Sequence, residues 1–447
     1  GECDELFGLE EGGSLSGFLL VITKQSFPVI VSFFLGLGGT FINLLFAGRF
    51  VPVEHEGDRS VIFAGVSLAN MFVSVSCLSL LIGMSSAVET LGSQHNGAGN
   101  YKEVGLVLQR SFAVLACMCV PILCLWAFVA PLYRLLGVEA AVCEVVRRYI
   151  FIRAFSVPLD VANESYEKYL MSIGVVAPSM WANIVFNLLV LSFNCLFCIH
   201  LRLPYDWLAV SWVLSSYLAF ALMLLLSYQY APVKRTLVPW DLRAFTRWGE
   251  FCSLGLPGTV MLCSEWWAFE FLTIFASLLG TANLAAQTII MQIASMSFMI
   301  PLGIGITCAS LVGNAMGAGR PKLAVQIGRS CLLYTSGVDV LVGCVIYMGG
   351  AEFVKVFTSD PQVQEVAASA VPFLALFIMI DGLQGVASGV LRGAGRQVLG
   401  ACANVVAYYA LGLPVSWILC FRVGFGVDGL IMGVACGSLF QVCVLFV

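Results

Sequence analysis

Long apolar runs follow one another through almost the whole chain, and only short polar stretches separate them. Each run is long enough to cross about 30 Å of hydrocarbon as a helix. Because backbone amides inside lipid must be hydrogen-bonded within the protein, a chain of such runs folds as helices. We count twelve runs, near 27–48, 61–90, 106–132, 146–170, 176–199, 207–229, 251–279, 284–311, 324–348, 366–391, 398–420 and 426–447. The predicted fold class is an all-α integral membrane protein with twelve transmembrane helices.

Composition excludes several classes of protein. Apolar residues make up 60% and charged residues 11% of the chain, whereas about a quarter of the residues in soluble domains are charged. The net charge of −4 gives no basic surface for nucleic acid. The three histidines show no metal-ligand spacing, and no nucleophile has a base at a catalytic spacing. We therefore predict a protein that is not an enzyme and that holds no metal or cofactor.

Two stretches in the first part of the chain recur in the second part. GMSSAVETLGSQHNGAGNYK recurs 220 positions later as GIGITCASLVGNAMGAGRPK, so that Gly97 and Gly99 correspond to Gly317 and Gly319. KYLMSIGVVAPSMWANIV recurs 221 positions later as GVLRGAGRQVLGACANVV. A duplicated bundle of membrane helices is typical of secondary transporters.

The longest polar stretch divides the runs into six and six. We predict an N-terminal lobe over residues 1–230, a cytoplasmic linker over 231–250 and a C-terminal lobe over 251–447. Since six is an even number, both lobes cross the membrane in the same orientation, related by a pseudo-two-fold axis along the membrane normal. Lys and Arg are more frequent in the loops on the side of the termini, which favours cytoplasmic termini.

Acidic residues lie inside several of the predicted helices, where a charge costs about 2.5–3.5 kcal/mol on insertion scales unless it faces a wet cavity. Helix 7 contains Glu265 and Glu270 in SEWWAFE, with no basic residue to pair with. A spacing of five residues puts them about 140° apart, so they do not face one point of a regular helix. Glu265 lies near the middle of the run and is the principal candidate. Glu270 is either a second site residue or a carboxylate satisfied within its lobe.

Two further acids occupy matching positions of the duplication. Asp381 lies in the middle of helix 10, with no basic residue within ten positions, and a capping role beside Gly382 is the alternative interpretation. Asp160 in helix 4 corresponds to Asp381 but has Arg153 one to two turns away, so a structural ion pair and a secondary site are both open. Glu89 is assigned to the end of the second helix, beside a glycine-rich loop.

A buried carboxyl group without a cationic partner favours its neutral form, which suits it to carry protons. Na⁺ is the alternative coupling ion, but it needs several converging oxygens. Ser264 and Thr273 near the helix-7 acids do not supply a decisive set. We therefore prefer proton coupling.

Three segments resemble the multidrug and toxic compound extrusion (MATE) family in its eukaryotic branch. They are LGLPGTVMLCSEWWAFE, IPLGIGITCASLVGNAMGAGRPK and DGLQGVASGVLRGAGRQVLGACANVVAYYALGLP. The resemblance covers essentially the whole chain. It implies two six-helix lobes that form a V, alternating access, and export of organic compounds in exchange for H⁺ or Na⁺. We expect a monomer in the plasma membrane or in a vacuolar or other organellar membrane.

The resemblance also assigns roles to residues. The essential acids of eukaryotic members lie in the C-terminal lobe and fall here on Glu265, Glu270 and Asp381. Gln292 stands where animal members carry a glutamate in helix 8. Aspartate at position 381 is similar to plant members, so the chain is closer to the plant-type pattern and has one carboxylate fewer than the animal proteins. Bacterial members can use an acid in helix 1, where this chain has none.

The predicted function is export of organic cations, xenobiotics or secondary metabolites in exchange for H⁺. Ionised Glu265 and Asp381 attract the cation, and their protonation releases it. Trp266 and Phe269 are candidates for holding its apolar part by cation–π contact, together with Gln292. Adjacent Trp266 and Trp267 point about 100° apart, so one of them at most lines the site. The alternatives are Na⁺-coupled export, a lipid-linked precursor flippase, and, less favoured because of the duplication, a channel or receptor.

Overall fold

The computed structural model describes residues 9–52 and 56–445, and these ranges contain helices and no β-strand. The last two residues of the twelfth predicted run lie outside the described residues. The long helices are α1 (Leu15–Arg49), α2 (Glu56–Val73, Ser74–Leu78 and Ser79–Gly97), α3 (Tyr101–Ala127), α4 (Ala140–Arg153, Ala154–Ser156 and Val157–Ser172), α5 (Ala177–Asn194 and Cys195–His200), α6 (Asp206–Ser227), α7 (Trp248–Ser277), α8 (Thr281–Gly317), α9 (Pro321–Phe357), α10 (Pro361–Gly393), α11 (Gln397–Val405, Val406–Gly412, Leu413–Trp417 and Ile418–Val423) and α12 (Gly426–Leu445).

Eleven of these helices are long and apolar enough to cross a membrane, among the residues that the structure describes. The exception is α4, which matches the predicted run 146–170. Its second half, Val157–Ser172, contains Asp160, Glu164 and Lys168, which lower its apolar content. A 3₁₀ turn over Ala154–Ser156 joins its two halves. The twelve predicted runs thus correspond to twelve helical segments.

Two predicted helix boundaries differ from the structure. The first run was placed at 27–48, but α1 begins at Leu15, so Pro28 lies inside the helix and not at its entry. The polar triplet from Lys24 to Ser26 interrupts the apolar run without ending the helix. The assignment of Glu89 to a helix end is also wrong, because α2 continues to Gly97 and Glu89 is buried.

The contacts between residues divide the chain into two compact units. The first contains the described residues up to Ile30, Glu89–Gly99 and the chain from Ser253 onward; the second contains Val31–Val88 and Asn100–Cys252. The N-terminal part of α1 and the end of α2 therefore pack in the first unit, although they precede residue 230 in the sequence. The predicted division into lobes at 230 and 251 stays a prediction.

The duplicated glycines adopt equivalent backbone conformations. Gly99 and Gly319 follow the ends of α2 and α8 with φ of 74° and 71°. Gly174 and Gly395 follow α4 and α10 with φ of 75° and 72°. Glycine adopts this left-handed conformation without a steric penalty and is the usual residue after a helix C-terminus. The sequence repeat is therefore also a repeat of turn geometry.

A third pair of duplicated glycines allows a close helix crossing inside the first unit. Gly97 lies against the backbone carbonyl of Asn314, and Gly317 lies against the backbone carbonyl of Gln94. Because positions 94 and 314 are also related by the offset of 220, these two contacts are equivalent. The Asn96 side-chain amide donates a 2.7 Å hydrogen bond to the side-chain carbonyl of Asn314 and ties the same ends together.

Small residues let α8 and α10 approach closely. A side chain at Gly389 would overlap the backbone of Gly305, and one at Gly393 would press on the Ala309 carbonyl oxygen, 2.5 Å from the added carbon. In lipid, close backbone contact through small residues is a main source of helix association. This crossing fixes α10, the helix that carries Asp381.

The predicted linker packs within the second unit. It forms a short helix, Ala231–Thr236, and a 3₁₀ turn, Leu242–Phe245. The Gln109 side-chain amide donates 3.0 Å hydrogen bonds to the carbonyls of Val238 and Pro239. At the exposed end, hydrogen bonds from Arg243 lower the pKa of Asp241 to about 2, so its capping carboxylate stays ionised at physiological pH.

Candidate functional site

Glu265 of α7 and Asp381 of α10 are buried in the first unit, with 8% and 4% of their surface exposed. The two carboxyl groups interact electrostatically. Both residues were predicted independently from the sequence, and the folding of α7 and α10 into one unit brings their charges within range of each other. Like charges that interact in a poorly solvated environment strongly disfavour double ionisation.

Polar side chains from three helices surround this pair. The Ser438 hydroxyl of α12 donates a 3.3 Å hydrogen bond to Asp381 Oδ1. The Gln384 side chain, one turn after Asp381, is a hydrogen-bond partner of Glu265. Tyr408 is fully buried and interacts electrostatically with both carboxyl groups. It lies in the π-helical segment Val406–Gly412 of α11, a local irregularity that often marks functional sites.

An amide network holds the helices that carry the pair. The Asn404 side-chain amide of α11 donates a 3.0 Å hydrogen bond to the carbonyl of Met261, one turn before Glu265. The Gln441 amide of α12 donates in turn to the Asn404 side-chain carbonyl. The side chains of Asn404, Gln441 and Glu265 are all buried. The network therefore restrains α7 at the level of the candidate site.

No lysine or arginine forms an ion pair with Glu265 or Asp381 within the described ranges 9–52 and 56–445. Arg392 attracts Glu265 electrostatically, but its guanidinium Nε lies 3.9 Å from Glu89 Oε2. The buried pair is therefore acidic overall, and a proton or a cationic ligand is what can balance its charge.

The aromatic candidates take different positions around α7. The Phe269 ring makes edge contacts with Phe377 and Tyr408, each at 6.1 Å between ring centroids. Trp266 is partly buried beside Glu265, whereas Trp267 is exposed. This arrangement agrees with the expectation that the two tryptophans point in different directions. Phe269 packs in the core next to Tyr408, and Trp266 is the aromatic side chain next to Glu265 in sequence.

Glu270 and Gln292 are exposed, unlike Glu265 and Asp381. Glu270 lies on the face of α7 that also exposes Trp267 and Ile274. The five-residue spacing from Glu265 accounts for this separation. The structure does not bring Glu270 or Gln292 into the buried cluster, and their roles stay predictions.

Asp160 has a different environment in the second unit. The Ser156 hydroxyl lies 2.9 Å from Asp160 Oδ2, and the Arg153 Nη1 group donates a 2.8 Å hydrogen bond to the same hydroxyl. The Arg153 guanidinium also lies 4.6 Å from the centroid of the Trp212 ring. Arg153 is thus linked to Asp160 through the Ser156 hydroxyl and not by a direct ion pair, and it attracts the carboxylate electrostatically. Its counterpart Asp381 has no such cation among the described residues, and this difference favours a structural role for Asp160.

Comparison with known proteins identifies the family. The model of the MatE family matches residues 28–196 and, a second time, residues 257–418. The chain belongs to the MATE family. The two matches begin at Pro28 and Pro257 and cover both copies of the duplication that the sequence shows. MATE proteins are transporters and not enzymes, so this chain is a multi-pass membrane transporter.

Curated relatives and solved structures agree with this membership. Multidrug and toxin extrusion protein 1 of Homo sapiens is 32% identical over 433 residues, which cover 96% of this chain and 73% of that protein. The Oryctolagus cuniculus protein of the same name is 31% identical over 429 residues. The crystal structure of the eukaryotic MATE transporter AtDTX14 matches with a TM-score of 0.86 at 24% identity and covers 96% of this chain and 95% of that one. The fold is thus the twelve-helix MATE fold, and the chain is a eukaryotic MATE transporter.

Sequence reasoning missed one acid of this MATE lobe. Asp339 lies in α9 and is 1% exposed, and it interacts electrostatically with Asp381. The criterion that selected Asp381 would have found it, because Asp339 stands in an apolar run with no basic residue for nine positions on either side.

We expect Arg153→Leu to destabilise the transporter, because it leaves Asp160 without its cation. Removing one partner of a buried pair costs about 3–5 kcal/mol, whereas replacing both is much less costly. The double variant Arg153→Leu with Asp160→Asn should therefore regain part of the lost thermal stability. Size-exclusion chromatography after heating measures the thermal stability of the single and the double variant. If the double variant loses more stability than Arg153→Leu, the structural interpretation of Asp160 is wrong.

Proposed function

We propose that this MATE transporter exports organic cations in exchange for protons, with Glu265 and Asp381 as the coupling residues. The observation that supports this most directly is the interaction of two buried carboxyl groups that have no ion-pair partner among the described residues. A proton and an organic cation both neutralise such a pair, so they compete for it. Competition for one charge is the physical requirement of obligatory exchange.

The proposed cycle follows from that competition. The ionised pair binds the cation, and the partly buried ring of Trp266 offers a face for cation–π contact. Alternating access then exposes the site to the opposite side. Protonation there removes the negative charge and with it the attraction for the cation, which leaves. The protonated lobe returns, and deprotonation on the cytoplasmic side restores the first state.

The coupling ion in this proposal is H⁺ and not Na⁺. Sodium binds through several oxygens that converge on one point. A proton needs one carboxylate oxygen. The hydrogen bonds that Asp381 and Glu265 receive from Ser438 and Gln384 leave other carboxylate oxygens available for it.

The test is uptake of a fluorescent quaternary ammonium compound into proteoliposomes that are acidic inside. A permanent charge prevents the passive accumulation that weak bases show, and a potassium–valinomycin clamp holds the membrane potential at zero. We expect the pH gradient to drive uptake and an outward Na⁺ gradient at equal pH to have no effect. Uptake that responds to Na⁺ alone contradicts proton coupling, and uptake that needs neither gradient contradicts exchange.

Glu270 provides a comparison within the same helix. We expect Glu270→Gln to reduce pH-driven uptake by less than about tenfold, since Glu270 lies outside the buried cluster of Glu265 and Asp381. Glu265→Gln should reduce it much more. Initial rates of uptake at matched protein density give the ratio. Equal losses for the two variants would place Glu270 in the coupling site with Glu265.

A further inference from the structure

Asp339 lies in the middle of α9, and its Oδ2 atom is buried without a hydrogen-bond partner among the described residues. Its side chain forms no ion pair with a described lysine or arginine. An ionised, unpaired carboxylate in such a place costs several kcal/mol. Buried, unpaired carboxyl groups inside membrane helices are typical of functional sites.

The backbone next to Asp381 lies close to the carboxyl group of Asp339. Gly382 directly follows Asp381, and a methyl group added to Gly382 would overlap the Asp339 carboxylate. The Asp339 side chain therefore occupies the space that any larger residue at 382 would fill. This close approach brings its charge within range of Asp381, and the two groups interact electrostatically.

The other elements that pack against α9 bring no balancing charge to Asp339. Helix α8 has no Asp, Glu, Lys, Arg or His in Thr281–Gly317, and its Cys308 is hydrogen-bonded to Cys331 of α9. The first part of α1 contacts α9 through Thr23, whose hydroxyl lies 3.2 Å from that of Tyr334. Lys24 beside Thr23 is exposed. Among the described residues, Asp381 is thus the charged group that acts on Asp339.

The duplication shows that this acid is particular to one half. With the offset of 220, Asp339 corresponds to Cys119, which interacts electrostatically with Asp160 as Asp339 does with Asp381. With the offset of 221, Arg153 corresponds to Leu374. The first half therefore combines one acid with a cation, whereas the second half replaces the cation by leucine and adds an acid. Relative to Asp160, Asp381 thus gains a neighbouring carboxyl group and loses the cation.

Two further buried polar atoms near this acid have no hydrogen-bond partner among the described residues. They are Oγ1 of Thr335, one turn before Asp339 in α9, and Oε1 of Gln384, whose amide group is the partner of Glu265. Both side chains are fully buried. Each of these oxygen atoms can accept a further hydrogen bond.

We propose that Asp339 is a third proton-binding residue of the coupling site and that its charge sets the pH at which substrate and protons exchange. This inference rests on the proposed proton-coupled function. Charge on Asp339 disfavours charge on Asp381. Asp339 and Asp381 therefore release their protons in two steps and not in one. The bound cation competes with the proton that leaves most readily.

The test measures binding of the fluorescent quaternary ammonium compound to the purified chain between pH 5 and 9, together with the protons released per molecule bound in weakly buffered solution. The variants are Asp339→Asn, which keeps the shape, and Asp339→Cys, which copies position 119. Gly337→Ala is the control, since a methyl group there meets nothing within 4 Å. Removal of a neighbouring like charge should move the midpoint of proton inhibition down by about one pH unit and lower the number of released protons.

The outcomes separate this inference from the proposed function. A lower midpoint and a smaller proton release in either Asp339 variant, with wild-type behaviour in Gly337→Ala, support the role of Asp339. An unchanged midpoint and unchanged proton release in a variant that still binds overturn it and leave the Glu265–Asp381 pair as proposed. If wild-type protein binds the compound without releasing protons, both the proposed function and the role of Asp339 are overturned.

Discussion

Glu265→Gln should reduce pH-driven uptake by at least about a hundredfold, because the variant retains the shape of the site and loses the charge for which proton and cation compete. Asp381→Asn should have an effect of the same order. Glu265 and Asp381 interact electrostatically, so the double variant should lose little more than either single one. Initial rates in acid-inside proteoliposomes give these values.

Glu352→Gln is the matched control, since the side chain of Glu352 is 76% exposed at the end of α9 and its partner Lys355 is also at the surface. It should transport like the wild type. Gln and Asn preserve the hydrogen-bonding shape of the two acids, so monodisperse protein is expected for all variants. Substantial pH-driven uptake by Glu265→Gln and Asp381→Asn would move the coupling site elsewhere, first to Asp160.

Gly389→Val should prevent α8 and α10 from packing, because a side chain at this position overlaps the Gly305 backbone. A flexible side chain can rotate away from such an overlap, but a helix backbone cannot. We expect a loss of at least about 3 kcal/mol of stability, at the upper end of the range for overpacked cores. The measurement is the yield of monodisperse protein after detergent extraction and its thermal midpoint.

Gly337→Val tests whether this loss is specific to the crossing. Position 337 is exposed on α9, and an added Cβ there meets no atom within 4 Å. The same change of residue should leave yield and thermal midpoint close to wild type. Similar losses at both positions would mean that valine disturbs these helices locally, and that the close crossing of α8 and α10 contributes little.

Much of the fold could be predicted from sequence because lipid imposes a simple constraint. Apolar length predicted the helical segments, and repeated glycines predicted the duplication, whose turns at Gly99 and Gly319 share one backbone conformation. The ends of the helices were harder to predict from the sequence. The polar residues from Lys24 to Ser26 concealed the first turns of α1. Hydropathy reports the preference of side chains for lipid, whereas the helix is continued by hydrogen bonds of the backbone.

The candidate site was predictable in part. Glu265 and Asp381 were found because each is an acid in an apolar run without a basic neighbour in its own helix. Sequence does not show which acids of different helices meet, so the contact of Asp339 with Gly382 appears only when α9 packs on α10. The exposure of Glu270 follows from helical spacing, but the face that is buried depends on tertiary packing.

Proton movement driven by substrate alone is the most direct test of the central claim. Thermodynamic linkage requires that if protons drive the cation, a cation gradient drives protons in the opposite direction. Vesicles loaded with the quaternary ammonium compound and a pH-sensitive dye, at equal pH on both sides and zero membrane potential, should become acidic inside as the cation leaves. Vesicles that contain Glu265→Gln should not. Loss of the cation from wild-type vesicles without any change of internal pH would contradict proton exchange.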